Sequence, residues 1–169
     1  MRLLFELNTG DFDPNGTAFV RPSVRAIIRQ EGKVAMVHNT KYDYYKFPGG
    51  GMNPGETQKE TLIRETLEEA GLAVLPSSVL EYGYVHRVQK GTREDMFIQD
   101  NYYYLCDTLP ERQNQSLDDY EAEECFTPVF VEPAWAIEVN RTHDHGPKDQ
   151  LMLERESRVL ECLIAEGLL

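Results

Sequence analysis

Three glutamates have the spacing most suggestive of chemistry in this chain. Glu65, Glu68 and Glu69 stand at positions i, i+3 and i+4, which places their side chains on one face of a helix at about 100° per residue. Like charges this close repel one another by roughly a few tenths of a kcal/mol per pair. Taken alone, such a group is typical of the solvated face of an acidic protein, so the neighbouring elements must indicate whether it has a function.

The segment that carries the glutamates has the signals of a well-bounded helix. Thr57 and Glu60 have the spacing of a capping box at its start, and Gly71 follows its last residue, where a left-handed conformation is common. We therefore predict a helix that runs to Ala70 and packs one face on a sheet. The residues on the face opposite the glutamates are Ile63, Thr66, Leu67 and Ala70.

A glycine-rich turn, Pro48-Gly49-Gly50-Gly51, precedes this helix. Glycine allows the backbone to approach a ligand closely. Carboxylate oxygens are hard ligands that suit Mg²⁺ or Mn²⁺, and Mg²⁺ is commonly held by carboxylates together with substrate phosphate oxygens. Ions bound to the three glutamates would neutralise them and attract a pyrophosphate group. The turn and the helix together predict metal-assisted phosphoryl chemistry.

The same residues resemble the Nudix box of the Nudix hydrolase superfamily. The match covers Gly50 to Leu72: Gly50, five residues, Glu56, seven residues, and then the run Arg64-Glu65-Thr66-Leu67-Glu68-Glu69-Ala70-Gly71-Leu72. Every charged and glycine position of the family pattern is filled. Thr66 stands where the family usually has an aliphatic residue, and its place on the predicted buried face makes this a variation in packing.

This resemblance implies an α/β fold, an α/β/α sandwich with a mixed β-sheet, and we expect residues 1–169 to form a single domain of this kind. It also implies hydrolysis of a nucleoside diphosphate linked to a group X, with Mg²⁺ or Mn²⁺ as cofactor. The products would be a nucleoside monophosphate and phosphorylated X.

The resemblance further implies roles for residues of the box. Glu65 would orient or deprotonate the attacking water, and Arg64, counted with it as catalytic, would form a structural ion pair with Glu56. A guanidinium suits such a pair because it presents a rigid fork to a carboxylate. The implied metal ligands are Glu65, Glu68, Glu69 and the carbonyl of Gly50 or of its neighbour Gly49.

Many members of the superfamily have a further acidic residue after the box, which completes the metal site or acts as base. The run from Tyr120 to Cys125 offers Glu121, Glu123 and Glu124. We take Glu121 as the predicted additional metal ligand; the alternative is a solvated acidic loop.

Basic and aromatic residues outside the box are candidates for substrate contacts. Arg25 is the best candidate for a phosphate contact, because it lies on a predicted strand that should line the cleft; Arg21, Arg87 and Arg93 are further candidates. Tyr45 and Phe47 are predicted to stack on a nucleobase, although aromatic residues also favour strands for reasons of packing alone.

The remaining elements should build the sheet that supports this site. Two β-branched runs, 24–28 and 34–37, are predicted to form a hairpin. Residues 107–124 are predicted to be a loop, and a second helix is predicted from Pro147 to about Glu166. Further strands are predicted at 3–7, 42–47, 79–88, 96–106 and 129–131.

The charge, the apolar content and the cysteines of the chain limit the partners and the location that can be expected for it. Seventeen Lys and Arg against 29 Asp and Glu give a net charge of −12, which argues against a nucleic-acid polymer as partner. No run of eighteen apolar residues indicates a membrane span. Three cysteines without a CxxC pair favour reduced thiols and a cytoplasmic location. A homodimer is compatible with the chain.

Three functions compete on this pattern. The first is a metal-dependent pyrophosphohydrolase. Its substrate is expected to be a nucleoside triphosphate or a similarly small nucleotide, because no dedicated N-terminal domain is seen. The alternative substrate is ADP-ribose or a nucleotide sugar. The second is a nucleotide sensor without turnover, which the intact glutamates disfavour. The third is an isomerase with Cys106 or Cys125 at the metal site.

Overall fold

A computed structural model describes residues 1–169 and contains eleven strands and four helices. The strands are β1 (Leu3–Asn8), β2 (Ala18–Val20), β3 (Ser23–Ile27), β4 (Arg29–Gln30), β5 (Lys33–Asn39), β6 (Tyr44–Lys46), β7 (Leu72–Val74), β8 (Leu80–Lys90), β9 (Met96–Leu105), β10 (Thr108–Arg112) and β11 (Phe126–Val131). The helices are α1 (Gln58–Ala70), α2 (Asp119–Glu123), α3 (Pro133–Thr142) and α4 (Gln150–Ala165). None of the helices combines the length and the apolar composition needed to cross a bilayer.

The larger sheet is mixed and has five strands. Its centre is the long antiparallel hairpin of β8 and β9. β1 lies parallel to β8 on one side, and β2 and β3 lie one after the other, both parallel to β9, on the other side. This arrangement aligns residues of β3 with those of β9, so that Arg25 stands opposite Tyr103.

A second, antiparallel sheet has β5 at its centre, with β11, β4 and β6 as neighbours. The predicted hairpin between residues 24–28 and 34–37 is therefore wrong in its pairing. β3 joins the mixed sheet, and the short β4 takes its place beside β5. A hydrogen bond from the Ala35 N–H to the Ile28 carbonyl, 2.8 Å long, links the two sheets where the chain passes between them.

Helices cover both sides of these strands. On one side α1 contacts β3, β5 and β11, and Leu62 and Ala70 of α1 are buried against Val24 and Ala26. On the other side α3 and α4 pack together and against β6, while α4 also contacts β1. The architecture is an α/β fold with the predicted α/β/α layers and mixed sheet.

The capping signals of α1 act as predicted. The Thr57 side chain accepts a hydrogen bond from the Glu60 N–H at 3.3 Å, and the Glu60 carboxylate accepts one from the Thr57 N–H at 2.9 Å. Gly71 ends the helix with φ at 63°, in the left-handed region. The stop and start of this helix are thus fixed by local chemistry.

Six elements were absent from the predicted set: β2, β4, β7, β10, α2 and α3. The segment 107–124, predicted to be a loop, contains β10 and α2, and α3 begins at Pro133. β10 forms a small antiparallel pair with β7, a long-range contact that no local pattern reveals. The last helix begins at Gln150 rather than Pro147, because the Asp149 side chain caps the Leu151 N–H at 2.9 Å.

A charged pair lies inside the core between α4 and the strands. Arg155 and Glu156 are 1% and 0% exposed, and the guanidinium donates to the carboxylate at 2.9 Å. The Phe47 N–H also donates to Glu156, at 2.8 Å. The pair therefore fixes the backbone just before the glycine-rich turn to α4.

We expect Glu156→Gln to lower the free energy of unfolding by about 3 kcal/mol, because Arg155 then keeps a buried charge without its counter-ion. Glu154→Gln is the matched control: Glu154 lies on the same helix, but its side chain is 41% exposed and pairs with Arg141 at the surface. A change below about 0.5 kcal/mol is therefore expected. Urea unfolding of the two variants measures both values. Equal stability of the two would contradict the role given to Glu156.

Candidate active site

A small polar cavity of about 200 Å³ lies between the glycine-rich turn, α1 and α2. We call it the acidic cavity. Four carboxylates line it: Glu65 and Glu69 from α1, Glu121 from α2, and Asp118, which caps the start of α2. Glu68, the third glutamate of the box, does not line it, and its side chain is 40% exposed at the flank of α1. The fold thus brings two of the three predicted box ligands together with the predicted ligand Glu121.

The glycine-rich turn passes very close to neighbouring atoms, and at Gly49 the adjacent backbone leaves no room for a side chain. Gly49 has φ at 136°, and a Cβ there would overlap the Val24 carbonyl. A Cβ on Gly50 would overlap the carboxylate of Glu65. The Gly50 carbonyl, a predicted metal ligand, accepts a hydrogen bond from the Val24 N–H at 2.9 Å, and that of Gly49 accepts one from Arg25. The turn therefore brings backbone oxygen atoms beside a carboxylate.

Arg64 forms the predicted ion pair with Glu56. Its Nε and Nη2 donate to the two oxygens of Glu56 at 2.7 and 2.8 Å. Arg64 is the main reason why the pKa of the Glu56 carboxyl lies below its usual range. The remaining nitrogen, Nη1, contacts Glu65 at 2.7 Å and Glu68 at 3.0 Å. One guanidinium thus contacts three carboxylates, so the repulsion expected between the box glutamates is partly offset.

Lys46 performs the same compensation for Glu69. Its Nζ lies 2.5 Å from Oε1 of Glu69, and both side chains are buried. The Gly49 N–H donates to the other oxygen of Glu69 at 2.9 Å. Lys46 was not among the residues predicted from the sequence. Alternation along β6 could have identified it, because Tyr45 and Phe47 point into the core and the residue between them must point the other way.

Glu121 reaches the acidic cavity from the short helix α2. It is 5% exposed, and its carboxylate accepts hydrogen bonds from the Asp118 N–H at 3.0 Å and the Tyr120 hydroxyl at 2.8 Å. Burial, and then the neighbouring Glu69, raise the pKa of the Glu121 carboxyl above its usual value. The other two members of the acidic run lie elsewhere: Glu123 is exposed and Glu124 pairs with Lys148 at 2.5 Å.

The donors at the acidic cavity suit a hard divalent cation. They are carboxylate and carbonyl oxygens from α1, α2 and the glycine-rich turn, the ligand type of Mg²⁺ and Mn²⁺. No three of the acidic, His or Cys side chains surround a common point closely enough to form a ready-made metal site. Glu65 and Glu69 are turned towards Arg64 and Lys46 instead. The residues therefore fit such an ion after reorientation of these side chains.

The prediction that Tyr45 and Phe47 stack on a nucleobase needs correction. Both belong to the hydrophobic core, with exposed fractions of 8% and 0%. The Tyr45 ring stacks on His38 with ring centroids 4.4 Å apart, and the Phe47 ring meets Tyr103 edge-on at 5.5 Å. Their faces are covered by the protein itself, so they are core residues.

Arg25 lies on β3 and lines the acidic cavity, as the strand pattern predicted, and it is close to the glycine-rich turn. Its contact with a phosphate group stays a prediction. Its Nη1 donates to the carbonyls of Phe47 and Gly49. The side chain lines the acidic cavity and also a second, larger cavity of about 580 Å³. Arg21 also lines the acidic cavity, next to Gly51. Two cationic side chains therefore border the carboxylates.

Neither cysteine proposed for an isomerase lines the acidic cavity. Cys106 lies in the core between α1 and the strands, where burial raises the pKa of its thiol to about 12. Cys125 is exposed beyond α2. The structure thus removes the observation on which an isomerase would depend.

We expect Arg64→Ala to lower the melting temperature by roughly 5 °C, because it leaves several crowded carboxylates without their shared counter-ion. Lys59→Ala is the control, since Lys59 lies exposed on the same helix and makes no ion pair. Thermal unfolding followed by circular dichroism measures the difference. A shift no larger than that of Lys59→Ala would show that Arg64 contributes nothing to stability.

Comparison with known proteins places the chain in a family. The profile of the NUDIX domain matches residues 20–152. An RNA pyrophosphohydrolase of Xanthomonas axonopodis pv. citri is 32% identical over 134 residues, 73% of this chain and 60% of the relative. One of Stenotrophomonas maltophilia is 43% identical over 68 residues, 40% of this chain and 31% of the relative. The chain thus spans about 60% or less of the length of these curated relatives.

Solved structures show the same fold. A NUDIX hydrolase from Nitrosomonas europaea superposes with a TM-score of 0.58 at 16% identity, covering 83% of this chain and 90% of the other. A MutT NUDIX hydrolase from Burkholderia pseudomallei gives 0.54 at 14% identity, covering 80% and 97%. With the profile match over most of its length, the chain belongs to the NUDIX domain family.

Proposed function

We propose that this protein hydrolyses the pyrophosphate bond of a nucleotide, with Mg²⁺ or Mn²⁺ as cofactor. The observation that carries the proposal is the composition of the acidic cavity. Glu65, Glu69 and Glu121 line it together with Arg21 and Arg25. Carboxylates that suit a divalent cation therefore stand beside guanidiniums that suit phosphate oxygens.

The proposed ligands of the cation are the carboxylates of Glu65, Glu69 and Glu121. The carbonyl of Gly50 or Gly49 is proposed as a further ligand. When bound, a divalent cation supplies the positive charge that offsets the phosphate oxygens and favours attack by water at phosphorus. Glu68 lies outside the cavity in this structure, and its proposed role as a ligand requires its side chain to turn inwards.

The chain's own residues organise this site before any ligand enters it. Arg64 positions Glu65, and Lys46 together with the Gly49 N–H positions Glu69. Arg25 is held in turn by the carbonyls of the glycine-rich turn. These contacts keep the carboxylates of Glu65 and Glu69 beside the cavity, and the two side chains must turn from them to reach a cation.

Within this activity, a small nucleotide such as a nucleoside triphosphate is the substrate that we favour, with ADP-ribose or a nucleotide sugar as the alternative. The strongly acidic composition supports a small substrate over a long nucleic acid. The names of the relatives give a specific reason for a second candidate, the 5′ end of an RNA carrying a pyrophosphate group. An RNA end is compatible with the net charge if only its first nucleotides contact the protein.

Glu69→Gln tests the proposal on a panel of nucleoside triphosphates, ADP-ribose, a nucleotide sugar and a 5′-triphosphorylated RNA. We expect the wild type to release phosphate or pyrophosphate from at least one of them, and Glu69→Gln to reduce that rate by about 10²-fold or more. Glu123→Gln, an exposed position of the same acidic protein, should keep the wild-type rate. Wild-type rates in Glu69→Gln, with the fold confirmed by circular dichroism, would contradict the assignment.

Removal of divalent cations is a separate test. In excess EDTA we expect turnover of the substrate found above to fall to background, and added Mg²⁺ or Mn²⁺ to restore it. Circular dichroism under the same conditions should show an unchanged fold, because Arg64 and Lys46 compensate the carboxylates without metal. Undiminished hydrolysis in EDTA would exclude a metal-dependent reaction.

A further inference from the structure

The larger cavity beside Arg25 has the opposite charge to the acidic cavity. We call it the basic cavity; it shares Arg25 and Gln99 with the acidic cavity. The other cationic residues that line it are Arg87, Lys90, Arg93 and Arg155, against only Glu94 and Asp149. A positive lining in a chain with a net charge of −12 indicates a cavity shaped for an anionic group.

Three of the cations have no carboxylate partner. Arg87 is paired with Asp149 and Arg155 with Glu156. Lys90, Arg93 and Arg25 form no ion pair within 4.0 Å of a carboxylate. Arg25 is more than nine-tenths buried, and its Nε has no hydrogen-bond partner. Burial of an unpartnered guanidinium nitrogen is unfavourable, so a ligand that accepts from it would gain affinity.

Aromatic rings border the same cavity. Phe19 on β2 stands opposite Phe97 on β9, with ring centroids 6.0 Å apart. Phe19 is 47% exposed, which leaves ring surface open to a ligand, and the guanidinium of Arg87 lies 5.5 Å from the centre of the Phe97 ring. Planar bases stack on such rings. The lining therefore offers both phosphate contacts and a stacking surface.

The sheet defines the direction in which a ligand would extend. On β9, Tyr103 lies opposite Arg25, and Phe97 lies opposite Phe19. Phe97 and Tyr103 are on the same face of this strand, and the six residues of strand that separate them span about 20 Å. Lys90 and Arg93 lie beyond Phe97, at the end of the β8–β9 hairpin. The acidic cavity, at about 200 Å³, is smaller than a typical ligand pocket. A nucleotide with its pyrophosphate there must place its remainder along this face.

We propose that the basic cavity binds the nucleoside of the substrate, and that this nucleoside carries a further phosphate on its ribose, held by Lys90 and Arg93. The proposal rests on the pyrophosphate hydrolysis proposed above, because that activity places the other end of the molecule in the acidic cavity. Two kinds of molecule carry a further phosphate on the ribose. In a free nucleoside bisphosphate this phosphate is a phosphomonoester, and at the 5′ end of an RNA it is a phosphodiester.

Binding without metal tests the inference independently of turnover. Calorimetric titrations in EDTA at low salt would compare adenosine 3′,5′-bisphosphate and the 5′-phosphorylated dinucleotide pApA with AMP. We expect at least one of the two to bind about 10-fold more tightly than AMP, and the tighter one identifies the source. If AMP binds as tightly as both, the cavity does not recognise a second phosphate and the inference is wrong.

Variants assign the contact to named residues. Lys90 and Arg93 are both exposed, so the double variant Lys90→Ala/Arg93→Ala should fold normally and lose the 10-fold preference over AMP. Lys33→Ala, which changes an exposed lysine on β5 away from the cavity, should retain this preference.

Phe19→Ala should weaken the binding of AMP and of the preferred ligand alike, by about 5-fold, since the base is common to both. A double variant that keeps the full preference would overturn the proposal. No hydrolysis is measured in these titrations. A failure of the proposed binding can therefore be distinguished from a failure of the proposed hydrolysis.

Discussion

The crowding of carboxylates on one face of α1 is the constraint on which the site depends. Glu65 and Glu69 lie beside Glu121 in a cavity of about 200 Å³, and such a group would repel itself without compensation. The chain supplies two cations for this purpose, Arg64 and Lys46, each in contact with at least one of the box glutamates. A stable fold and a site that suits a divalent cation can therefore coexist in the same residues.

The same short segment joins this site to the core. Tyr45 and Phe47 anchor β6 and the turn after it: the Tyr45 N–H donates to Asn140 on α3 at 2.8 Å, and the Phe47 N–H donates to Glu156 on α4 at 2.8 Å. Between them Lys46 points to Glu69. Because adjacent residues of one strand serve the core and the site, the packing of α3 and α4 determines where the glycine-rich turn lies against α1.

Local signals could be predicted well from the sequence. The limits of α1 follow from its capping residues, and the place of Arg25 on a strand that lines the cavity follows from the strand pattern. The ion pair of Arg64 with Glu56 was implied by the resemblance to the Nudix box. The division of the strands between two sheets could not be predicted, because the pairing of β3 with β9 joins residues far apart in sequence. The aromatic residues of β6 were misassigned for a related reason: their type fits both stacking and packing, and only the tertiary structure decides.

The pairing of charges around the two cavities is the other feature that could not be predicted from the sequence. The spacing of the three glutamates suggested repulsion at the box, whereas Lys46 and Arg64 reduce it through contacts of 2.5 and 2.7 Å. The cations of the basic cavity come from β3, the β8–β9 hairpin and α4, so they form a group only after folding. A chain with a net charge of −12 thus keeps a local positive region beside its most acidic one.

The proposed function depends on the binding of a divalent cation by Glu69 and its neighbours in the acidic cavity. Electron paramagnetic resonance of Mn²⁺ titrated into nucleotide-free protein measures this directly, since free and bound Mn²⁺ give different signals. We expect saturable binding by the wild type and by Glu123→Gln, and at least 10-fold weaker binding by Glu69→Gln and by Glu121→Gln. Equal affinity in all four proteins would contradict it, because the ion would then be held somewhere else.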